Sequence, residues 1–213
     1  MPVLEVKNNF VGHTAFWWVV MPIFVLLVLP YVLPVQSFMV GDAELLCFSE
    51  LGRDTDAVTT STNALFQSMF VSTGVLKAFR TMFIDHAVIP QLQGSATVVA
   101  NFTQQWNNGF WMMVYRAMWR LIALWPIYLA ILLSMVIPAF VDGLAQRAIK
   151  KYDYKFHNPV YFFSSLHLIA LVLGLCVFVP LLPLPLTAQM VAGSGFMLAA
   201  AAWMATANFQ TGA

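Results

Sequence analysis

The sequence predicts an all-α polytopic membrane protein, with four transmembrane helices and an amphipathic helix on the outer side. Three observations carry that prediction. Of 213 residues, 61% are hydrophobic and only 9% charged, with a mean hydropathy of +0.78; so few polar side chains do not coat a soluble globule of this length. Leu121 to Phe140 carries no charge, and a helix rising about 1.5 Å per residue crosses about 30 Å of hydrocarbon in such a run. Beyond it stand Arg147, Lys150, Lys151 and Lys155, the basic cluster expected of a cytoplasmic loop.

The first apolar stretch, about 15–35, is longer than a secretory signal core and has no small-residue cleavage site before Gly41-Asp42, so it reads as a retained anchor. The second, third and fourth spans fall at about 121–140, 162–182 and 188–207. Together they make residues 1–213 a single membrane domain. The basic loop at about 141–160 places both termini in the cytoplasm, with a segment at about 41–110 and an uncharged proline turn, Leu182 to Leu186, outside.

The outer segment opens with Asp42, Glu44, Glu50, Asp54 and Asp56 around Arg53. From Asn63 to Ile84, Leu65, Met69, Leu76, Phe79 and Phe83 recur at helical spacing, which predicts an amphipathic helix capped by Ser61 or Thr62, lying on the interface or on the other helices, or re-entrant. Trp106, Trp111, Trp119 and Trp125, with Trp17 and Trp18 at the other face, read as interfacial belts. Arg116 and Arg120, four residues apart at the outer end of the second span, are expected to snorkel or to pair with an acid.

In the third span His167 is the ionisable residue nearest mid-membrane, and a hydrogen bond to Asp142, or to a backbone carbonyl, is expected to satisfy it. Asp142 and Arg147 suit a local pair, and Gly143 a helix end. In the fourth span Gly193, Ala201 and Ala205 share a small-residue stripe suited to close helix packing, within the bundle or in a homo-oligomer.

No phosphate loop, zinc-protease helix, nucleophile elbow or dinucleotide fingerprint occurs, and Cys47 and Cys176 show no metal-site spacing. No enzyme, cofactor, catalytic residue or metal is expected. A net charge of +1 makes direct nucleic-acid binding unexpected.

Tyr115-Arg116, the stretch Pro138-Ala139-Phe140-Val141-Asp142-Gly143-Leu144, Arg147, Lys150, Tyr161, His167, the Pro183 to Pro185 turn and Ala207-Asn208-Phe209 together resemble inner-membrane proteins of integrating conjugative elements and conjugative plasmids. The resemblance covers about residues 110–210. It implies a bacterial inner membrane, which makes the outer segment at about 41–110 periplasmic. It also implies a non-enzymatic component of a conjugative type IV secretion system, similar to the TraJ-type partner of the coupling ATPase. The implied partners are that ATPase, other inner-membrane secretion subunits and membrane lipid. Asp142, Gly143, Arg147, Lys150 and His167 are the expected contact or assembly residues. The alternatives are an exclusion protein that blocks redundant transfer and a small channel or transporter subunit.

Overall fold

The computed structural model describes residues 10–82, 95–152 and 159–209, all of it helix, turn or connection with no strand among them. Four helices are long and apolar enough to cross a membrane: Phe10–Val32, Asn101–Lys150, Val160–Leu181 and Ala188–Ala207. We number the helices in chain order. Helix α1 is Phe10–Val32, α2 is Asp42–Glu50, α3 is Thr55–Phe66 and α4 is Val75–Arg80. Then come α5 at Ser95–Ile131, α6 at Ile137–Tyr152, α7 at Pro159–Phe178 and α8 at Ala188–Ala207.

Several boundaries differ from the sequence expectation for physical reasons. Helix α1 stops at Val32, ahead of Pro34, where the chain becomes extended. Helices α5 and α6 run on through one π turn, Leu132–Val136, in which Ser134 Oγ donates to the Ala130 carbonyl at 2.7 Å. The expected loop at 141–160 is therefore helical as far as Tyr152, and Lys155 lies outside the described residues.

The expected helix at 63–84 is also divided. It begins earlier, at Thr55, because Asp54 rather than Ser61 or Thr62 caps it, accepting from the amides of Asp56 and Ala57 at 3.0 Å each. It breaks at Gly74, whose φ of +75° is in the left-handed region. Its inward stripe is Val58, Thr62, Phe66 and Phe70, while Leu65 and Met69 are exposed; Phe83 lies outside the described residues.

Contacts divide the chain into two units. One comprises 1–22, 128–178 and 189–213; the other comprises 23–127 and 179–188. In the first, α1 meets α7 where Gly174 leaves room for Trp17 and Trp18, and Trp18 Nε1 donates to the Ala170 carbonyl at 3.0 Å. Helix α8 packs closely through Gly195, where a Cβ would stand 2.6 Å from Ile131 Cγ2. Of the predicted stripe, Ala201 and Ala205 are buried, but Gly193 is exposed with nothing within 4 Å of an added Cβ. The buried face is Val191, Gly195, Ala199, Ala202 and Thr206, which follows the three-and-four spacing of a helix, two positions out of phase with Gly193.

Gly195→Ala is expected to destabilise the protein by about 1–3 kcal/mol through overpacking, and Gly193→Ala to leave stability unchanged or slightly raised. Thermal unfolding of both variants in detergent checks this; equal behaviour would refute the packing described.

Candidate functional site

The first candidate centre, in the 23–127 and 179–188 unit, is ionic. Glu44 on α2 and Arg116 and Arg120 on α5 are buried together, with Glu44 1% and Arg120 0% exposed. Arg116 Nη2 donates to Glu44 Oε2 at 2.7 Å, and Arg120 Nη2 donates to the same oxygen at 3.0 Å. Arg120 Nε takes the other oxygen, Oε1. The pairing with an acid is thus realised and the snorkelling is not. The four-residue spacing on one helix face brings both guanidiniums to one carboxylate.

Two cations against one anion leave an excess positive charge, and backbone carbonyls accept it. Arg116 Nη1 donates to Ser37 at 2.9 Å. Arg120 donates to Val179, Pro180, Leu182 and Leu184 at 3.3, 3.1, 2.6 and 2.5 Å. That segment follows the end of α7 as a 3-10 turn in which Leu182 N–H donates to the Val179 carbonyl at 3.0 Å, while Pro180, Pro183 and Pro185 carry no N–H. One guanidinium supplies further donors to these carbonyls.

Aromatic side chains line the same stretch of α5. Trp119 is 1% exposed, donates Nε1 to Thr59 Oγ1 at 3.0 Å and meets Phe48 edge-on. Trp106 donates to the Leu27 carbonyl at 2.9 Å, and Trp111 sits among Phe66, Phe70, Phe79 and Phe110. The belt reading is therefore corrected for these three, whose rings pack on protein; Trp125 alone of the four on α5 is widely exposed.

A second centre, in the other unit, gathers the residues named by resemblance. Asp142 accepts from Trp203 Nε1 at 2.6 Å, not from His167, whose ring lies against Phe10 and His13. Gly143 does not end its helix. It is buried against α8, where a Cβ would stand 2.7 Å from the Trp203 carbonyl oxygen and collide with Thr206. Lys150 Nζ donates to the Ala207 carbonyl at 3.2 Å and to Asn208 Oδ1 at 3.0 Å, a cation at a helix C-terminus. Arg147 lies 5.0 Å over the Phe209 ring rather than beside Asp142, and Phe209 meets Phe162. Four of the five predicted residues thus converge on the last turns of α8; His167 faces α1 instead.

The opposite side of α6 is open. Val141, Leu144, Ala145, Ala148 and Ile149 are exposed and follow helical spacing. Among the described residues no group of three or more His, Cys, Asp or Glu comes together. Sequence reasoning missed Glu44 as the partner of the two arginines; the signal was two charges set four apart in an apolar run, which demand a counter-charge.

Glu44→Gln leaves two buried guanidiniums uncompensated and is expected to cost about 3–5 kcal/mol, against about 0.5 kcal/mol or less for the exposed Asp42→Asn; tryptophan-monitored unfolding in detergent measures both. At the corner, a double-mutant cycle of Asp142→Ala and Trp203→Phe is expected to return a coupling of about 1.5–3 kcal/mol. A coupling near zero would remove the hydrogen bond from the account.

No curated protein and no solved structure matches the chain. A family described as IncC plasmid conjugative DNA transfer protein DtrJ-like matches residues 48–210, a range that takes in both arginines, the α6 corner and the end of α8. The chain belongs to this DtrJ-like family of conjugative DNA transfer proteins.

Proposed function

We propose that this protein is a non-enzymatic inner-membrane component of a conjugative type IV secretion system, which docks with the coupling ATPase and helps assemble it for DNA transfer. One observation carries the docking role. Helix α6 is fastened to α8 on one side through Asp142, Gly143 and Lys150, and on the other presents Val141, Leu144, Ala145, Ala148 and Ile149 to the surroundings. A helix fixed along one face loses little further freedom when a partner helix seats on the other. The basic residues Arg147, Lys150 and Lys151 favour the cytoplasmic side for this stripe, where an ATPase would be met.

On this reading the residues carried by the resemblance build the platform, and the exposed stripe makes the contact. An exclusion role draws instead on the exposed acids Asp42, Glu50, Asp54 and Asp56.

Mild-detergent capture of the tagged protein from donor cells is expected to recover the coupling ATPase. Leu144→Ser with Ile149→Ser should lower recovery about tenfold, the equivalent of about 1.4 kcal/mol, with membrane insertion retained. Undiminished capture by the double variant, or absence of the ATPase from the wild-type sample, would defeat the proposal. A changed exclusion phenotype after charge reversal of the four acids, with donor ability normal, would favour the exclusion role.

A further inference from the structure

A cavity of about 570 Å³ lies beside α5, within the 23–127 and 179–188 unit; it shares Phe66 and Trp111 with the aromatic lining described above and includes none of Glu44, Arg116 and Arg120. Gln104, Asn107, Asn108, Trp111, Met112 and Tyr115 form its floor at helical spacing, and Arg80, Leu76, Phe66 and Val35 close it from other elements. The floor is graded. Three amides stand at one end and Trp111, Met112 and Tyr115 follow along about 16 Å of helix, with Arg80 the single cation among the lining residues.

Two buried polar atoms on that floor have no hydrogen-bond partner: Asn107 Oδ1, an acceptor, and Trp111 Nε1, a donor. Asn107 is 5% exposed. An unpaired buried amide or indole N–H costs about 1–3 kcal/mol, so a ligand atom that meets either one after a side-chain rotation toward the groove gains more than it would at the surface. The outer part of α1 carries apolar, exposed surface to the same level. Leu27, Tyr31 and Val32 are open to the surroundings, Leu27 accepts from Trp106, and Tyr31 meets Phe102.

We propose that this groove binds one glycerophospholipid whose headgroup carries an N–H or O–H donor, an ethanolamine or glycerol lipid. The apolar end, Met112, Tyr115, Phe66 and Val35, takes the upper part of an acyl chain, and it points along α5 toward the charge-free run that begins at Leu121. Arg80 takes the phosphate by charge, Trp111 Nε1 donates to a phosphate or ester oxygen, and Asn107 Oδ1 accepts from the headgroup donor. A choline headgroup has no such donor, so the site discriminates against it.

The test uses full-length protein purified in detergent, with native mass spectrometry and headgroup analysis of lipid retained after titration with dioleoyl phosphatidylethanolamine, phosphatidylglycerol or phosphatidylcholine. One retained ethanolamine or glycerol lipid per chain is expected, with about tenfold weaker retention of choline lipid, the loss of one hydrogen bond to a charged or buried group. Arg80→Gln, at an exposed position, and Trp111→Phe, which keeps the ring, should each weaken retention about tenfold while the lipid-free unfolding temperature stays within 2–3 °C, a change of about 1 kcal/mol or less. Asn107→Leu should abolish the headgroup preference. Equal retention by wild type and all three variants, indifference to the headgroup, or a copurifying peptide in place of lipid would overturn the assignment. Capture of the ATPase is a separate readout, so this proposal and the docking role fail independently.

Discussion

The burial of two guanidiniums against one carboxylate is the constraint to which the 23–127 and 179–188 unit is arranged. Glu44, Arg116 and Arg120 are each nearly or wholly removed from solvent, and in so apolar a chain the alternative to pairing is an isolated buried charge, which costs far more than any single packing contact gains. The pairing dictates where α2 lies, because Glu44 must reach α5. It also dictates where the chain after α7 lies, because Arg120 must find acceptors for its remaining N–H groups. Three prolines in that segment remove three N–H donors, and its carbonyls accept from Arg120. The cation and the proline turn, each unfavourable alone, satisfy one another.

The helical class and the four long apolar helices were legible in composition and in run length, since both follow from the match between a helix and the thickness of hydrocarbon. What was not legible depended on distant partners. Periodicity in residues 63–84 suggested a face through Leu65 and Met69, but the ring cluster around Trp111 draws Phe66 and Phe70 inward instead. Hydropathy does not distinguish one apolar side chain from its neighbour; the shape of the opposite wall does. The tryptophans were similarly ambiguous, because an amphipathic ring suits a membrane interface and a buried N–H with an acceptor equally well. Trp119 and Trp106 found acceptors in Thr59 and Leu27.

At the α6 corner four of the five residues named by resemblance meet the end of α8, through partners the sequence did not indicate. Asp142 and Gly143 attracted notice as an acid and a flexible residue where an apolar run ends, and both prove to be fitted to α8: one by accepting an indole N–H, the other by its lack of a side chain. Of the two partners the sequence suggests for His167, Asp142 pairs with Trp203 instead, and the His167 ring lies among α1 side chains. In the family match these segments fall within one continuous stretch of sequence, 48–210, and in the structure α6 and the end of α8 form one joint. The polar corner of α6 is an internal fastening to α8, and the apolar stripe on its reverse is exposed.

The π turn at Leu132–Val136 has a consequence for how this sequence tolerates change in length. A π turn accommodates one residue more than the regular helix would, so the two flanking segments are offset in phase by about 100°. Removal of one residue there would restore an unbroken α-helix at no loss of backbone hydrogen bonding, yet it would rotate everything beyond Val136. Asp142 and Gly143 would turn away from Trp203 and Thr206, and the stripe from Val141 to Ile149 would swing toward α8. The extra residue acts as an angular setting for α6, and its position in the chain decides which side of that helix is fastened and which is free.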